Sequence, residues 1–257
     1  MKLGKVETYI RETIEKDGVV FFGLIDPLEQ KNSGPVEYAK AFDKAGADII
    51  LIGGSIGAEG EMLNNAVKKI KESVSKPVML FPGNIGGVSK YADAVYFMSL
   101  LNSKNPYWIT GAHALAAPVL AKMNIEAIPT SLLVIEPGET VGWVGEARLI
   151  PYHKPDIAAA YALAGKMLGQ RVTILERGSG APGPASPEMF RAVKQAVDHP
   201  VICAGSSKTL EDIRKTIRAG ADGIHIASLV QNSHDPFKIA KKLVDFTKKV
   251  GKEKNNQ

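Results

Sequence analysis

The stretch PVEYAKAFDKAGADIILIGG, from Pro35 to Gly54, carries the pattern that decides the fold. Its first half has helical spacing and stops at Gly46, a typical helix end. Its second half, from Ala47, is a near-continuous apolar run. Such runs are typical of parallel strands that are buried on both faces. We therefore predict a helix followed by a buried strand.

The same alternation repeats along the whole chain of 257 residues. Eight strand-like runs begin at Val19, Ala47, Pro77, Ala94, Ala127, Arg171, Pro200 and Ala221. One further helical stretch precedes them. Eight alternations over this length are typical of a (β/α)8 barrel, and we predict a single α/β TIM-barrel domain over residues 1–257. An open doubly wound sheet, the alternative, would need fewer strands or a second domain.

Composition sets limits on the kind of protein. Hydrophobic residues make up 45% and charged residues 23%, which is typical of a folded soluble domain and excludes bulk disorder. The single cysteine, Cys203, excludes a disulfide framework and fits a reducing cytoplasm. No apolar run approaches the roughly 20 residues of a membrane helix. The net charge of +5 comes largely from a lysine-rich C-terminus, which we expect to fray from about residue 248 rather than to bind nucleic acid.

In such a barrel, chemistry takes place at the carboxyl ends of the strands. The last three runs end in small residues, whose backbone N–H groups can approach an anion closely. These small residues are Gly178, Ser179, Gly180, Gly205, Ser206, Ser207, Ala227 and Ser228. We favour a phosphate site over the alternative that they merely close tight turns.

Three further polar residues follow strand runs on the same rim. Asp26 either forms an Asx-Pro turn or holds a hard cation such as Mg²⁺. Ser55 either caps a helix or joins that cation or a phosphate, and the residues alone leave both alternatives open. For Glu176 we favour a general base over a salt bridge to Arg177 or Lys208.

The histidines are dispersed, and none forms a pair at metal-binding spacing. His225 falls inside the eighth run. We expect a satisfied core or interface histidine at this position rather than a ligand.

Longer stretches resemble one known family. They are FMSLLNSKNPYWITGAHALAAP from Phe97, IEPGETVGWVGEARLIP from Ile135 and LERGSGAPGP from Leu175. They are long and unusual, and the likeness runs essentially from end to end. On these residues the chain is identified as a member of the geranylgeranylglyceryl phosphate synthase family of archaeal prenyltransferases. The resemblance implies a TIM barrel whose third helix is replaced by a loop, and the short glycine-rich segment 84–91 agrees with that.

The resemblance also implies an activity. Geranylgeranyl diphosphate would be joined to the C3 hydroxyl of sn-glycerol 1-phosphate with Mg²⁺, which makes the first ether bond of archaeal membrane lipids and releases diphosphate. Asp26 and Ser55 would be linked to the metal, with Asp26 and Glu176 as catalytic residues. The implied phosphate-binding set is Ile174, Glu176, Arg177, Gly178, Ser179, Gly180, Gly205, Ser206, Lys208, Ala227 and Ser228. A cytoplasmic homo-oligomer, dimer or hexamer, with at most peripheral membrane contact is expected.

The chain departs from the family pattern in this phosphate cradle. Ile174 replaces a tyrosine and Arg177 an alanine. Ala204 and Ser206 replace glycines on the seventh run, and Ala227 and Ser228 replace a glycine and an asparagine on the eighth. We hypothesise that Arg177 supplies charge that compensates for the lost tyrosine hydroxyl. Three alternatives stay open: another prenyl length, an isomerase-like phosphate-binding barrel, or a non-catalytic ligand binder.

Overall fold

The computed structural model describes residues 3–28, 32–54 and 56–256. Parallel strands close into a barrel in chain order, and the last strand pairs with the first. The strands are β1 (Val20–Ile25), β2 (Ile49–Gly54), β3 (Val78–Pro82), β4 (Ala94–Leu100), β5 (Glu126–Val134), β6 (Val172–Glu176), β7 (Val201–Ala204) and β8 (Gly223–Ile226). The predicted TIM barrel is confirmed.

Helices surround this barrel. Those in the described residues are α1 (Lys5–Asp17), α2 (Pro35–Ala45), α3 (Gly60–Lys71), α4 (Ala112–Met123), α5 (Glu139–Val144), α6 (Pro155–Met167), α7 (Pro187–Ala196), α8 (Leu210–Arg218), α9 (Ser228–Gln231) and α10 (Pro236–Asn255). Gly46 ends α2 with a φ of +92°, a conformation that favours glycine. The sequence did not predict the short helices α5 and α9. None of the helices in the described part of the chain is long and apolar enough to cross a membrane.

The connection between β3 and β4 departs from the regular barrel. It contains a single 3₁₀ turn, Ile85–Gly87, where other connections carry an α-helix. The predicted loop is therefore confirmed. A π-helical turn, Tyr107–Gly111, leads into α4. Because no α-helix covers β4 on this side, the space between the loop and α4 remains open as a groove.

Helix α1 packs across the amino-terminal end of the barrel. Its Val6 and Ile10 are buried in the same apolar cluster as the inward-facing strand residues. The carboxylate of Glu126, at the start of β5, accepts the backbone N–H groups of Val6 (2.7 Å) and Glu7 (2.8 Å). These bonds satisfy donors that a helix start leaves unpaired. The candidate site lies at the opposite end of the barrel, where the strands end.

The C-terminus differs from the sequence-based expectation. Helix α10 continues to Asn255, with Val250 buried. Lys248 Nζ lies 2.6 Å from Asp48 and 3.1 Å from Asp17. Lys254 Nζ donates to the carbonyl of Ala221 at 3.1 Å. The prediction of fraying from about residue 248 is wrong, because these lysines pair with acids and carbonyls at the barrel's base.

Candidate active site

A cavity of about 350 Å³ opens at the carboxyl ends of the strands. One half is polar and lies over the ends of β1, β2, β6, β7 and β8. The other half is an apolar groove between β4, α4 and residues 85–88. Residues of the polar half are Asp26, Gly53, Gly54, Glu176, Ser179, Gly205, Ser206, Ser207, Ala227 and Ser228. Residues of the groove include Ile85, Val88, Phe97, Trp108, Ala116 and Leu120. A polar reacting end and an apolar tail can therefore share one cavity.

Glu176 is the last residue of β6 and is only 6% exposed. Burial raises the pKa of its carboxyl to about 7, although the backbone N–H groups of Gly178 and Arg177 oppose the shift. Gly178 donates to Oε1 at 2.5 Å and so orients the carboxylate. A pKa close to neutral suits a general base.

Asp26 lines the cavity just beyond β1 and is half-buried. Its Oδ1 accepts the backbone N–H of Leu28 at 2.9 Å, which is the Asx turn that was one of the two alternatives. A Cβ on Gly54 would lie 3.0 Å from Oδ2, so a glycine at this position leaves room for the carboxylate. The turn fixes the carboxylate on the cavity and leaves the cation alternative open.

The side chains available as metal ligands decide which metal ion would fit beside Asp26. No cluster of three or more His, Cys, Asp or Glu side chains occurs within the described ranges. A cage built from protein ligands is therefore absent from that part of the chain. Mg²⁺ commonly uses one or two carboxylates together with substrate phosphates and water, and Asp26 fits that pattern. Ser55, the second predicted metal residue, lies outside the described residues.

The loops after β6, β7 and β8 meet as the sequence predicts. Ser206 Oγ donates to the carbonyl of Gly178 at 3.0 Å, which ties two of these loops together. Ser179, Gly205, Ser206, Ala227 and Ser228 all line the cavity. Lys208 and Gly180 are exposed, and Lys208 Nζ lies 3.4 Å from the carbonyl of Gly180. The N–H of Gly178 already donates to Glu176.

Five residues of the predicted phosphate set do not line the cavity; they are Ile174, Arg177, Gly178, Gly180 and Lys208. Ile174 is fully buried in the barrel interior. Arg177 Nε donates to the carbonyl of Glu136 at 2.7 Å, and its Nη1 donates to that of Gly183 at 2.7 Å. The guanidinium also lies 4.3 Å from the ring centre of Tyr152. These contacts contradict the hypothesis that Arg177 replaces the lost hydroxyl, because its charge serves loop carbonyls and an aromatic ring outside the cavity.

The floor of the cavity carries residues that sequence reasoning did not assign to the site. Phe81, Tyr96 and His225 line it. His225 is buried, as predicted, and its Nε2 lies 3.2 Å from Tyr96 Oη. Its Nδ1 has no hydrogen-bond partner among the described residues, so the expectation of a fully satisfied histidine is wrong. The alternation in AVYFM and ADGIHIA places Tyr96 and His225 on inward faces, which is the signal that could have found them.

Comparisons with known proteins agree with this geometry. The PcrB family model matches residues 12–246. The geranylgeranylglyceryl phosphate synthase of Thermococcus kodakarensis is 51% identical over 250 residues, covering 97% of this chain and 99% of the relative. That of Pyrococcus abyssi is 49% identical over 246 residues, covering 96% and 98%.

Solved structures give the same result. The crystal structure of (S)-3-O-geranylgeranylglyceryl phosphate synthase from Thermoplasma acidophilum, in complex with substrate sn-glycerol-1-phosphate, superposes with a TM-score of 0.90. It is 36% identical and covers 97% of this chain and 100% of its own. Sequence, fold and cavity therefore agree that the chain belongs to the PcrB family, as its resemblance to geranylgeranylglyceryl phosphate synthases predicts.

Proposed function

We propose that this protein is a prenyltransferase that joins geranylgeranyl diphosphate to the C3 hydroxyl of sn-glycerol 1-phosphate. The products are geranylgeranylglyceryl phosphate and diphosphate, and the new bond is the first ether bond of archaeal membrane lipids. The observation that carries the proposal is a single cavity in which Glu176, the small-residue loops and an apolar groove converge. Relatives half identical to the chain bear the name of this activity.

The reaction exchanges one carbon–oxygen bond for another. The bond between the allylic carbon and the diphosphate oxygen breaks, and its electron pair leaves with the diphosphate. The acceptor's hydroxyl oxygen bonds to that carbon, and its proton passes to the carboxylate of Glu176. With a pKa of about 7, this carboxylate is basic enough to take the proton and is still substantially ionised near neutral pH. Holding both substrates in one cavity supplies the orientation.

The acceptor phosphate would bind at the loops after β6, β7 and β8. Ser179 and Ser228 offer hydroxyl groups, and Gly205 and Ala227 allow close approach of the backbone. Lys208, exposed beside Gly180, adds positive charge next to these loops. Ile174 and Arg177 are left out of this proposed set because Ile174 is buried in the barrel interior and the guanidinium of Arg177 donates to loop carbonyls.

We also propose that Mg²⁺ binds at Asp26. The charged side chains among the described lining residues are the carboxylates of Asp26 and Glu176, without a lysine or arginine. Two anionic substrates entering such a cavity need a compensating cation. When bound, Mg²⁺ supplies charge neutralisation for the leaving diphosphate. Asp26, held by its turn to Leu28, would be its carboxylate ligand.

The prenyl tail would lie in the groove that remains because no α-helix connects β3 and β4. Val88, Phe97, Trp108, Ala116 and Leu120 give this groove an apolar wall. Burial of a long hydrocarbon tail against such a wall is favourable. The alternative is the same chemistry with a prenyl donor of another length. The depth of the groove, rather than the residues on the rim, would select the length of the donor.

The proposed assembly is a homo-oligomer, dimer or hexamer, in the cytoplasm. Exposed apolar side chains support self-association. They are Leu115 and Val119 on α4, Trp143 on α5, and Met167 and Leu168 at the end of α6. The molar mass measured by light scattering after size exclusion tests this, and a monomer at all concentrations would contradict it.

The first experiment mixes purified protein with radiolabelled sn-glycerol 1-phosphate, geranylgeranyl diphosphate and Mg²⁺, followed by extraction into butanol. We expect label in the organic phase that disappears with EDTA. Absence of product with geranylgeranyl diphosphate but product with another prenyl diphosphate corrects the donor. Absence of product with every donor, despite a thermal shift on adding glycerol phosphate, would overturn the proposed transferase activity. The protein would then be a non-catalytic ligand binder.

A further inference from the structure

Three aromatic rings form the floor of the cavity at the centre of the barrel. We call Phe81, Tyr96 and His225 the aromatic floor. The ring centres of Phe81 and Tyr96 are 5.7 Å apart and those of Phe81 and His225 are 5.3 Å apart, both edge to face. All three residues line the cavity that also contains Asp26 and Glu176. The floor therefore shares one cavity with the two carboxylates to which the reacting groups are assigned.

The aromatic floor is uncharged. Burial lowers the pKa of His225 to about 3, so its imidazole is neutral at physiological pH. Burial also raises the pKa of Tyr96 well above its usual value. Nδ1 of His225 is buried and has no hydrogen-bond partner among the described residues.

The face of an aromatic ring carries negative charge density and attracts cations, most strongly where water is excluded. The aromatic floor has the composition of a site for a transient positive charge, because its rings are neutral, with Tyr96 and His225 buried and Phe81 half-buried. No lysine or arginine among the described lining residues competes with such a charge.

We propose that the aromatic floor stabilises positive charge on the allylic carbon during prenyl transfer, with Phe81 as the ring in contact with that carbon. The proposal rests on the proposed function. As the carbon–oxygen bond lengthens, its electron pair goes to the diphosphate and the allylic carbon becomes electron-poor. The rings lower the energy of this state until the acceptor oxygen supplies an electron pair. Stabilisation of charge that develops only in the transition state raises kcat rather than substrate affinity.

The test replaces Phe81 by phenylalanines carrying one, two and three ring fluorines. Fluorine withdraws electron density from the ring face and changes ring size little. We expect kcat to fall stepwise, by about tenfold across the series, with KM for both substrates and Tm nearly constant. The matched control is the same series at Phe22. The Phe22 ring centre lies 4.9 Å from that of His225, but Phe22 does not line the cavity, so its kcat should stay flat.

A binding measurement separates this proposal from the proposed function. Geranylgeranylamine places an ammonium where the allylic carbon would be, and geranylgeraniol is its neutral counterpart. With diphosphate and Mg²⁺ present, trifluorination of Phe81 should weaken binding of the amine about tenfold and leave the alcohol unchanged. A flat fluorine series in an active enzyme overturns the aromatic floor alone. A wild-type enzyme without transferase activity overturns the proposed function. In that case, equal binding of the amine by wild type and by the trifluorinated Phe81 variant would also overturn the proposal that the aromatic floor binds a cation.

Discussion

Gly205 lies directly against the carboxylate of Glu176. A Cβ on Gly205 would stand 2.3 Å from Oε1 and 2.8 Å from the backbone nitrogen of Gly178. The residue also has a φ of +77°, a conformation that L side chains rarely adopt. The glycine after β7 therefore does two things: it exposes backbone to the cavity and leaves room for the bond that orients the proposed base.

The first prediction follows from this contact. Gly205→Ala should displace the Glu176 carboxylate and reduce kcat at least tenfold, since a misplaced catalytic group loses orientation. Gly169→Ala is the matched control, because Gly169 has a φ of +92° and open space around its Cβ position. Both variants should lose about 1–2 kcal/mol to backbone strain. Equal activity in the two variants would show that the close approach to Glu176 is irrelevant.

Glu176→Gln tests the base itself. The amide keeps the shape of the carboxyl and an oxygen to accept the N–H of Gly178. It cannot take a proton, and we expect kcat to fall by about 10²- to 10⁴-fold. Glycerol phosphate binding, measured calorimetrically, should change little. A variant that retains most of its kcat would remove Glu176 from the reaction.

The raised pKa of Glu176 predicts how rate and stability depend on pH. The base acts when deprotonated, so kcat/KM should rise as pH passes about 7 and then level off. The folded protein holds this proton up to about pH 7, whereas the unfolded chain releases it near the usual value of 4.5. The contribution of Glu176 to stability therefore falls as pH rises between these values. The Tm of Glu176→Gln relative to that of wild type should therefore increase as pH rises from 4.5 to about 7. A Tm difference that stays constant over this range would contradict the raised pKa of Glu176.

Asp26→Asn tests the metal site without disturbing the local fold. Asparagine can still accept the N–H of Leu28 and so preserve the Asx turn. The loss of charge should abolish Mg²⁺-dependent diphosphate binding and reduce activity by at least a hundredfold. Titration of Mg²⁺ in the presence of diphosphate gives a readout that does not depend on turnover. Unchanged Mg²⁺ affinity would place the ion elsewhere.

Arg177 is predicted to matter for the shape of the loops rather than for charge in the cavity. Arg177→Ala removes the bonds to Glu136 and Gly183 and the stacking on Tyr152, at a cost of about 3 kcal/mol. Arg177→Lys keeps the charge but cannot reproduce a planar fork, so it should lose nearly as much stability. If lysine instead restored the KM for glycerol phosphate fully while alanine raised it, the charge hypothesis would return.

Much of the fold could be predicted from the chain because buried parallel strands leave a strong local pattern. The run ADIILIGG became β2, and the glycine-rich segment 84–91 became a connection without an α-helix. The C-terminus could not be read in this way. Lys248 and Lys254 look like a solvated cluster in sequence, and only the folded chain brings Asp17, Asp48 and the Ala221 carbonyl to them.

The candidate site divides along the same line. The sequence by itself determined which residues follow each strand, and so it placed Asp26, Glu176 and Gly205 on one rim, because parallel strands in a barrel all point their carboxyl ends the same way. Only the tertiary structure decided where side chains point. It turned Arg177 towards loop carbonyls, buried Ile174, and brought Phe81, Tyr96 and His225 together from three strands. The physical reason is that the orientation and burial of side chains depend on contacts between residues distant in sequence. The order of the strands along the chain and the residues at which they end follow from the local hydrophobic pattern.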